Sequence, residues 1–244
     1  MKKSCLIYVA VFLISASSNA QLWKLRRLEL TAAAGTTHSF TDIGRYTSGN
    51  NYFGLRDISK ANMGLGLNIN ARYRLSTAFA ARVNLTYGYL HASDINGSEV
   101  IRSYEMLSRI FEPSVIGEFY IVKNKRENAY LYIKERRSAI HPLFAYFEVY
   151  LFAGVGGVLW DVSPNPELAL HITDTKGFTA AVPAGVGVAK SFSSNFKGGL
   201  ELGGRYLLKD NLDALVVPGT GNDSYYFMSL CLTWRFKTTK YPSF

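Results

Sequence analysis

From Met63 to Leu75 every second residue is apolar: Met63, Leu65, Leu67, Ile69, Ala71, Tyr73 and Leu75 alternate with Gly64, Gly66, Asn68, Asn70, Arg72 and Arg74. Successive side chains of a strand point to opposite faces, so a period of two builds a strand with one apolar face and excludes a helix, whose apolar stripe recurs every ~3.6 residues. After Ser76-Thr77 the pattern resumes with Phe79, Ala81, Val83, Leu85, Tyr87 and Tyr89 against Arg82, Asn84, Thr86 and Gly88. Two such segments joined by a short turn form a hairpin.

The same reading predicts further strands over Leu28–Thr36, Ile110–Val122, Leu143–Gly157, Phe178–Lys190, Phe196–Leu208 and Tyr225–Phe236, eight strands in all. Connections alternate in length: those after the second and sixth strands are short, whereas His38–Asn62, His91–Glu105, Leu159–Gly177 and Lys209–Ser224 are long. Short turns on one side and long loops on the other are the habit of an outer-membrane barrel. One link departs from it, because Lys123–Pro142 occupies the place of a short turn and is long and basic.

Alternation alone fits both a soluble barrel with an apolar interior and a membrane barrel with an apolar exterior. The polar face decides between them. It holds Gly, Asn, Thr, Ser and Tyr with a few charges, while the lysines sit mostly in connections. A solvated exterior would need the reverse. The fold class expected is therefore all-β, an eight-stranded antiparallel transmembrane β-barrel. Its lumen would carry Arg72, Arg74, Arg82, Lys197, Arg205 and Arg235 opposite Glu29, Glu112, Glu118, Glu148 and Glu201. Near-balance of charge is required there, since an unpaired buried charge costs several kcal/mol. An interior of about eight strands is just wide enough to be filled by its own side chains, so no open pore is expected. Tyr73, Phe79, Tyr89, Phe178, Phe196, Tyr206, Tyr226, Trp234 and Phe236 fall near strand ends, where aromatic girdles meet the lipid headgroups.

The N-terminus carries an address. Lys2-Lys3, an apolar run from Cys5 to Ile14 and the small-x-small site Ser18-Asn19-Ala20 form a secretory signal peptide, residues 1–20, with the mature chain starting near Gln21. The run is too short for a helical membrane span. Residues 21–237 form the barrel with its insertion at about 123–142, and 238–244 a short tail. The net charge of +9 would by itself invite nucleic acid, but outside the cytoplasm no nucleic-acid partner is expected. Of the two cysteines Cys5 leaves with the signal, so Cys231 makes no intrachain disulfide and no cysteine-based metal site.

Gly154-Val155-Gly156-Gly157 and Gly185-Val186-Gly187 lack the third glycine and following helix of a dinucleotide site, and read as close packing inside a small barrel. His38, His91 and His171 fall in expected outer loops beside Ser39, Asp94 and Asp174. A loop-borne acyltransferase or protease would need them to converge. The expectation is a protein with no enzymatic activity, cofactor or metal. The basic link has Lys123, Lys125, Arg126, Lys134, Arg136 and Arg137 flanking Tyr130, Leu131, Tyr132 and Ile133. Aromatic and Arg groups favour docking a partner, so Lys123, Lys125, Arg126, Tyr130, Tyr132, Lys134, Arg136 and Arg137 are the expected contact residues. A solvated extension or contact with lipid headgroups has the same composition.

The segments Ala71-Arg72-Tyr73-Arg74-Leu75, Arg82–Gly88, Phe111-Glu112 with Gly117-Glu118-Phe119, Leu151–Gly156, Val182–Gly187 and Leu200–Tyr206 resemble the PorG-like outer-membrane barrels of Bacteroidetes. The likeness spans most of the mature chain. It implies a barrel component of the type IX secretion system, associated with a periplasmic ring of the lipoprotein PorK and its partner PorN. The Lys123–Pro142 insertion is longer than that family's usual turn. The resemblance implies no catalytic residues; its partners would be outer-membrane lipids and the ring.

Overall fold

The computed structural model describes residues 22–44, 62–94, 102–124, 146–172, 174–209, 212–214 and 222–238. The chain runs β1 (Leu28–Phe40), β2 (Met63–Arg74), β3 (Phe79–Ser93), β4 (Glu105–Val122), β5 (Phe147–Pro164), the one-turn helix α1 (Pro166–Ala169), β6 (Lys176–Ser191), β7 (Phe196–Leu207) and β8 (Ser224–Phe236). All strands pair antiparallel with their sequence neighbours and β8 closes on β1, giving an eight-stranded barrel. Closure leaves no sheet edge for lipid to meet, the condition for crossing a bilayer with strands.

Alternation sorts the side chains as the sequence leads one to expect. Leu65, Leu67, Val83, Val155 and Leu230 face outward, with Leu230 69% exposed, while Glu29, Arg72, Asn84 and Glu118 face inward at 3% or less. Exposed aromatics gather at both limits of this apolar surface: Tyr73, Phe79, Phe119, Phe196, Trp234 and Phe236 near the end that carries both termini, and Tyr87, Tyr89, Phe111, Phe178, Tyr206 and Tyr226 toward the loop end. About ten residues of tilted strand, as from Tyr226 to Phe236, rise about 25 Å along a barrel axis, the height of a lipid-facing band. No described helix is long and apolar enough to cross a membrane, so any crossing belongs to the strands.

Strand lengths depart from expectation at the loop end. β4 starts at Glu105 rather than Ile110, and β5 continues through Leu159 to Pro164, where the sequence pattern predicts a loop. The pairing stays in register from Ser114↔Gly156 to Phe111↔Leu159 and on to Met106↔Pro164, so the strands are continuous. What changes is phase. Along β5 the outward residues Leu151, Ala153 and Val155 give way to inward Val158, Trp160 and Val162, with Asp161 and Ser163 on the outer side. Above the apolar band the wall has water outside and an apolar interior, and a period-two reading takes the inversion for a strand end.

The lengthened strands β3 to β6 form a tall wall: β3 pairs with β2 only as far as Gly88, and β6 meets β7 only from Ala181 onward. Loop residues fill the space behind it. Ile43, Leu168 of α1 and Leu212 pack with Leu90, Met106, Ile110, Trp160, Val162, Leu207 and Tyr225 in one buried apolar cluster. Asn165 caps α1 by accepting the Leu168 N–H at 3.0 Å, which turns Leu168 into that cluster. The other expected boundaries lie within a few residues of the observed ones; 143–145, expected to begin the fifth strand, fall outside the described residues.

Candidate functional site

The lumen near the termini end is an ionic lattice. Arg72 on β2 reaches Glu29 on β1 at 3.1 Å, Glu118 on β4 at 2.8 Å and Glu201 on β7 at 3.5 Å. Arg82 on β3 bonds Glu201 at 2.6 Å and Glu118 at 3.2 Å. Lys197 on β7 lies between Glu29 at 2.8 Å and Glu148 at 2.9 Å, and Arg74 meets Glu148 at 2.8 Å. Tyrosines complete the shell: Tyr120 donates to Glu118 at 2.9 Å and Tyr150 to Glu201 at 2.6 Å. The guanidiniums of Arg74 and Arg82 also stack over Tyr120 and Phe152. Each ion has several partners, which is what lets so many charges stay inside.

Glycines make the room. A Cβ on Gly187 would stand 2.3 Å from the Tyr150 ring, and one on Gly185 2.6 Å from that of Phe152. The glycine-rich pieces therefore sit within β5 and β6, against rings at Gly157, Gly185 and Gly187 and against the β4 backbone at Gly154 and Gly156, and open no phosphate-binding loop.

The charged residues do not form one assembly. Arg205 and Glu112 pair apart from the lattice, at 3.2 Å, where the Tyr225 hydroxyl also donates to Glu112. Arg235 is buried at the termini end and donates to the Ser193 carbonyl at 2.6 Å. Between lattice and loop end lies a neutral layer, with Asn68 donating to Asn84 and Thr86, Asn84 to Ser114, and Thr31 bonded to Thr233. Above it, where the sequence pattern predicts loops, the lumen turns apolar. The interior there is the apolar cluster around Leu90, Trp160 and Leu207, because the wall at that height faces water. Ionic, neutral polar and apolar layers of side chains thus stack in the barrel, with the buried Arg205–Glu112 pair against Tyr225 at the base of the apolar one.

The histidines lie on different surfaces. His38 faces outward on β1 while its neighbour Ser39 turns inward to donate to the His91 carbonyl at 2.7 Å. His91 meets Glu105 at 2.9 Å on the outer face of the wall, and Asp94 is held by Arg102 at 2.9 Å and the Gly44 N–H at 2.7 Å. His171 stacks near Tyr104. None of these contacts joins a histidine ring to the serine or aspartate near it in sequence. Among the described residues no group of three His, Cys, Asp or Glu is placed to hold a metal. Cys231 is a free thiol on the inner side of β8, with its sulfur 3.7 Å from the Ser229 hydroxyl.

At the termini end the N-terminal segment folds back over the barrel mouth. Trp23 and Leu25 are buried, and the Thr238 N–H donates to the Leu25 carbonyl at 2.8 Å. Lys24, Arg26, Arg27, Lys123, Lys190 and Lys237 are the charges this end shows to its surroundings among the described residues, while Glu29, Glu118 and Glu148 are all turned inward. Of the expected contact residues only Lys123 is described, exposed just past a register shift in β4. Lys125, Arg126, Tyr130, Tyr132, Lys134, Arg136 and Arg137 lie outside the described residues, as do residues 1–20, expected as a signal peptide, and residues 239–244.

No protein-family model matches the chain, and no curated protein matches it. Solved structures similar in fold include Neisserial surface protein A, with 12% identity and a TM-score of 0.46 over 86% of this chain and 97% of that one. A major outer membrane protein from Thermus thermophilus aligns with 13% identity and a TM-score of 0.44, covering 86% and 99%. Ail, the attachment invasion locus protein of Yersinia pestis, solved with the heparin analogue sucrose octasulfate, aligns with 12% identity and a TM-score of 0.43, also covering 86% and 99%. By its own strand pairing and exposure the architecture is a closed eight-stranded antiparallel barrel with an apolar outer face.

Proposed function

We propose that this chain is a non-enzymatic barrel component of the type IX protein secretion system, exported by a signal peptide over residues 1–20 and seated in the outer membrane. There it anchors or assembles a periplasmic lipoprotein ring of the PorK and PorN kind. The observation that carries the reading is the filled lumen, with an ionic lattice below an apolar plug: such a barrel is built to hold a position in the membrane, not to conduct. Its outward charge at the termini end is cationic, and the insertion at 123–142 links β4, which ends there, to β5, which begins there. A basic, aromatic element beside a rigid anchor suits a protein contact, with Lys123, Lys125, Arg126, Tyr130, Tyr132, Lys134, Arg136 and Arg137 as the docking residues. The sequence resemblance supplies the system and the partners.

The test is purification of the tagged protein from outer membranes in mild detergent, with mass spectrometry of what stays bound, for the intact chain and one lacking 123–137. Ring lipoproteins recovered with the intact chain and lost on deletion, together with failed secretion in a deletion strain, are the expected results. A barrel recovered alone from both, in cells that secrete normally, refutes the proposal.

A second reading rests on the tall β3–β6 wall, whose packed interior makes the loop end a firm platform for an external ligand or neighbouring cell. It predicts normal secretion and a phenotype from loop replacement alone.

A further inference from the structure

One cation at the termini end stands on the lipid-facing side of the wall. On β6 every second residue faces outward, from Lys176 and Phe178 through Val182, Val186 and Val188, and Lys190 continues that face. In register it lies between Phe147 of β5 and Gly198 of β7. Its ammonium is 5.4 Å from the centre of the Phe147 ring and 5.8 Å from that of Phe192. The tight turn after β6 holds the second ring. The Phe192 N–H donates to the Phe196 carbonyl at 3.1 Å, and Ser193 Oγ accepts the N–H groups of Asn195 and Phe196 at 3.2 and 3.1 Å. Gly198 leaves the ring its place, since a Cβ there would stand 2.7 Å from it.

Two aromatic faces steady a cation but give its three N–H donors no true acceptor. Among the described residues no carboxylate pairs with Lys190. The acids of the two neighbouring strands, Glu148 and Glu201, point into the lumen, where they meet Lys197 and Arg82. What continues above Lys190 on the same face is apolar: Val188 lies in register between Val149 and Leu200, and Val186 between Leu151 and Leu202. Val186 and Val188 are each 38% exposed, against 47 to 55% for Leu151, Leu200 and Leu202, so β6 forms a shallow trough between leucine ridges. The trough starts at the cation. Charge at its foot and hydrocarbon along its length match a molecule with an anionic head and an acyl tail, whereas an acidic protein surface would have no use for the trough.

We propose that the outer face of β6 is a binding site for one anionic phospholipid of the leaflet at the termini end, with its phosphate on Lys190 between the Phe147 and Phe192 rings and an acyl chain along Val188 and Val186. Lys190 gives the phosphate a compact point charge with rotatable donors. This site is independent of the secretion role and of the 123–142 insertion.

The experiment reconstitutes the full chain in nanodiscs of mixed phosphatidylglycerol and phosphatidylcholine and counts retained lipids by native mass spectrometry. The unaltered protein should favour phosphatidylglycerol, with the preference shrinking at high salt. Lys190→Gln should cut the ratio of the two lipids roughly fivefold, the effect of one cation near a headgroup. Lys190→Arg should keep the ratio, and so should Lys176→Gln, which removes the same charge from the loop end. Should Lys190→Gln fail to fold, the unaltered chain still decides: phosphatidylglycerol with a photoreactive group in its acyl chain should label the segment from Val186 to Leu202. A ratio unmoved by Lys190→Gln, an equal fall with Lys176→Gln, or label spread evenly around the barrel overturns the proposal. So does an acidic protein that co-purifies through Lys190 while the lipid ratio stays unchanged in its absence.

Discussion

The two ends of the barrel interior are equally buried and oppositely built. Near the termini Lys197, Arg72 and Glu29 are 3% exposed or less and bonded to one another, while near the loops Leu90, Met106 and Leu207 are as completely buried and pack in an apolar cluster in which Trp160 Nε1 has no hydrogen-bond partner. The difference follows from what lies on the other side of the wall. Within the apolar band, turning a Leu from lipid to lumen gains almost nothing, since hydrocarbon is already as apolar as protein, so the outer face takes the apolar residues and the inner face collects the polar ones. Above the band the outer face meets water, and burying apolar surface is worth about 25 cal/mol per Å² again. The driving force for facing inward thus changes sign within single strands, and β5 carries both regimes between Leu151 and Val162.

The contrast breaks first, and hardest, at Lys197. Methionine there leaves Glu29 and Glu148 buried without the cation that sits 2.8 and 2.9 Å from them. Arg72 and Arg74 still meet the two carboxylates, but removing one partner from a buried ion network costs about 3–5 kcal/mol. Urea unfolding of the Lys197→Met chain in lipid vesicles should show that loss; a cost below about 1 kcal/mol would mean the lattice is solvated and the two ends are not different in kind. At the loop end Leu90→Ala should cost about 3 kcal/mol by the same measurement, a lost transfer energy plus a cavity, and should be insensitive to salt. A smaller effect follows from Gly187→Val, whose added carbons would drive the Tyr150 ring from its 2.6 Å bond to Glu201. Overpacking of this kind costs about 1–3 kcal/mol, and a normal unfolding midpoint would show that the lumen has slack.

What can be read from the sequence divides along the same line. Inside the band the exterior is apolar throughout, so alternation has one phase, and the strands, their faces and the inward placement of residues such as Glu29, Arg72 and Lys197 are visible in the order of residues alone. Which cation meets which carboxylate is not, because Arg72 and Glu201 approach across the lumen from strands far apart in sequence. Nor is Arg235's turn toward the Ser193 carbonyl visible, since it depends on where the β6–β7 turn sits. The loop end escapes a period-two reading for a physical reason. Val158, Trp160 and Val162 continue the period but invert its phase, and only a wall that leaves the lipid explains a strand that does so; Asp161 among apolar neighbours is the available signal. The role of the glycines as space for Tyr150 and Phe152 can be named in outline from the sequence and assigned to particular rings only with coordinates.

The outer face of the tall wall supplies the smallest and sharpest test of whether water, not sequence distance, sets these energies. Lys176 and Asp161 face each other across β5 and β6 with their charges 3.3 Å apart, a contact not much longer than those of the lattice, yet the Lys176 side chain is 73% exposed. A surface pair exchanges hydration for a weak, screened attraction and gives back side-chain entropy. Lys176→Met should therefore change stability by no more than about 0.5 kcal/mol, with the difference vanishing at high salt. The same Lys→Met exchange at two ion pairs of one barrel is then separated by burial alone. A loss at Lys176 approaching that at Lys197 would mean that the wall's outer face lies in the headgroup region and that the lipid boundary is higher than the inversion of β5 places it.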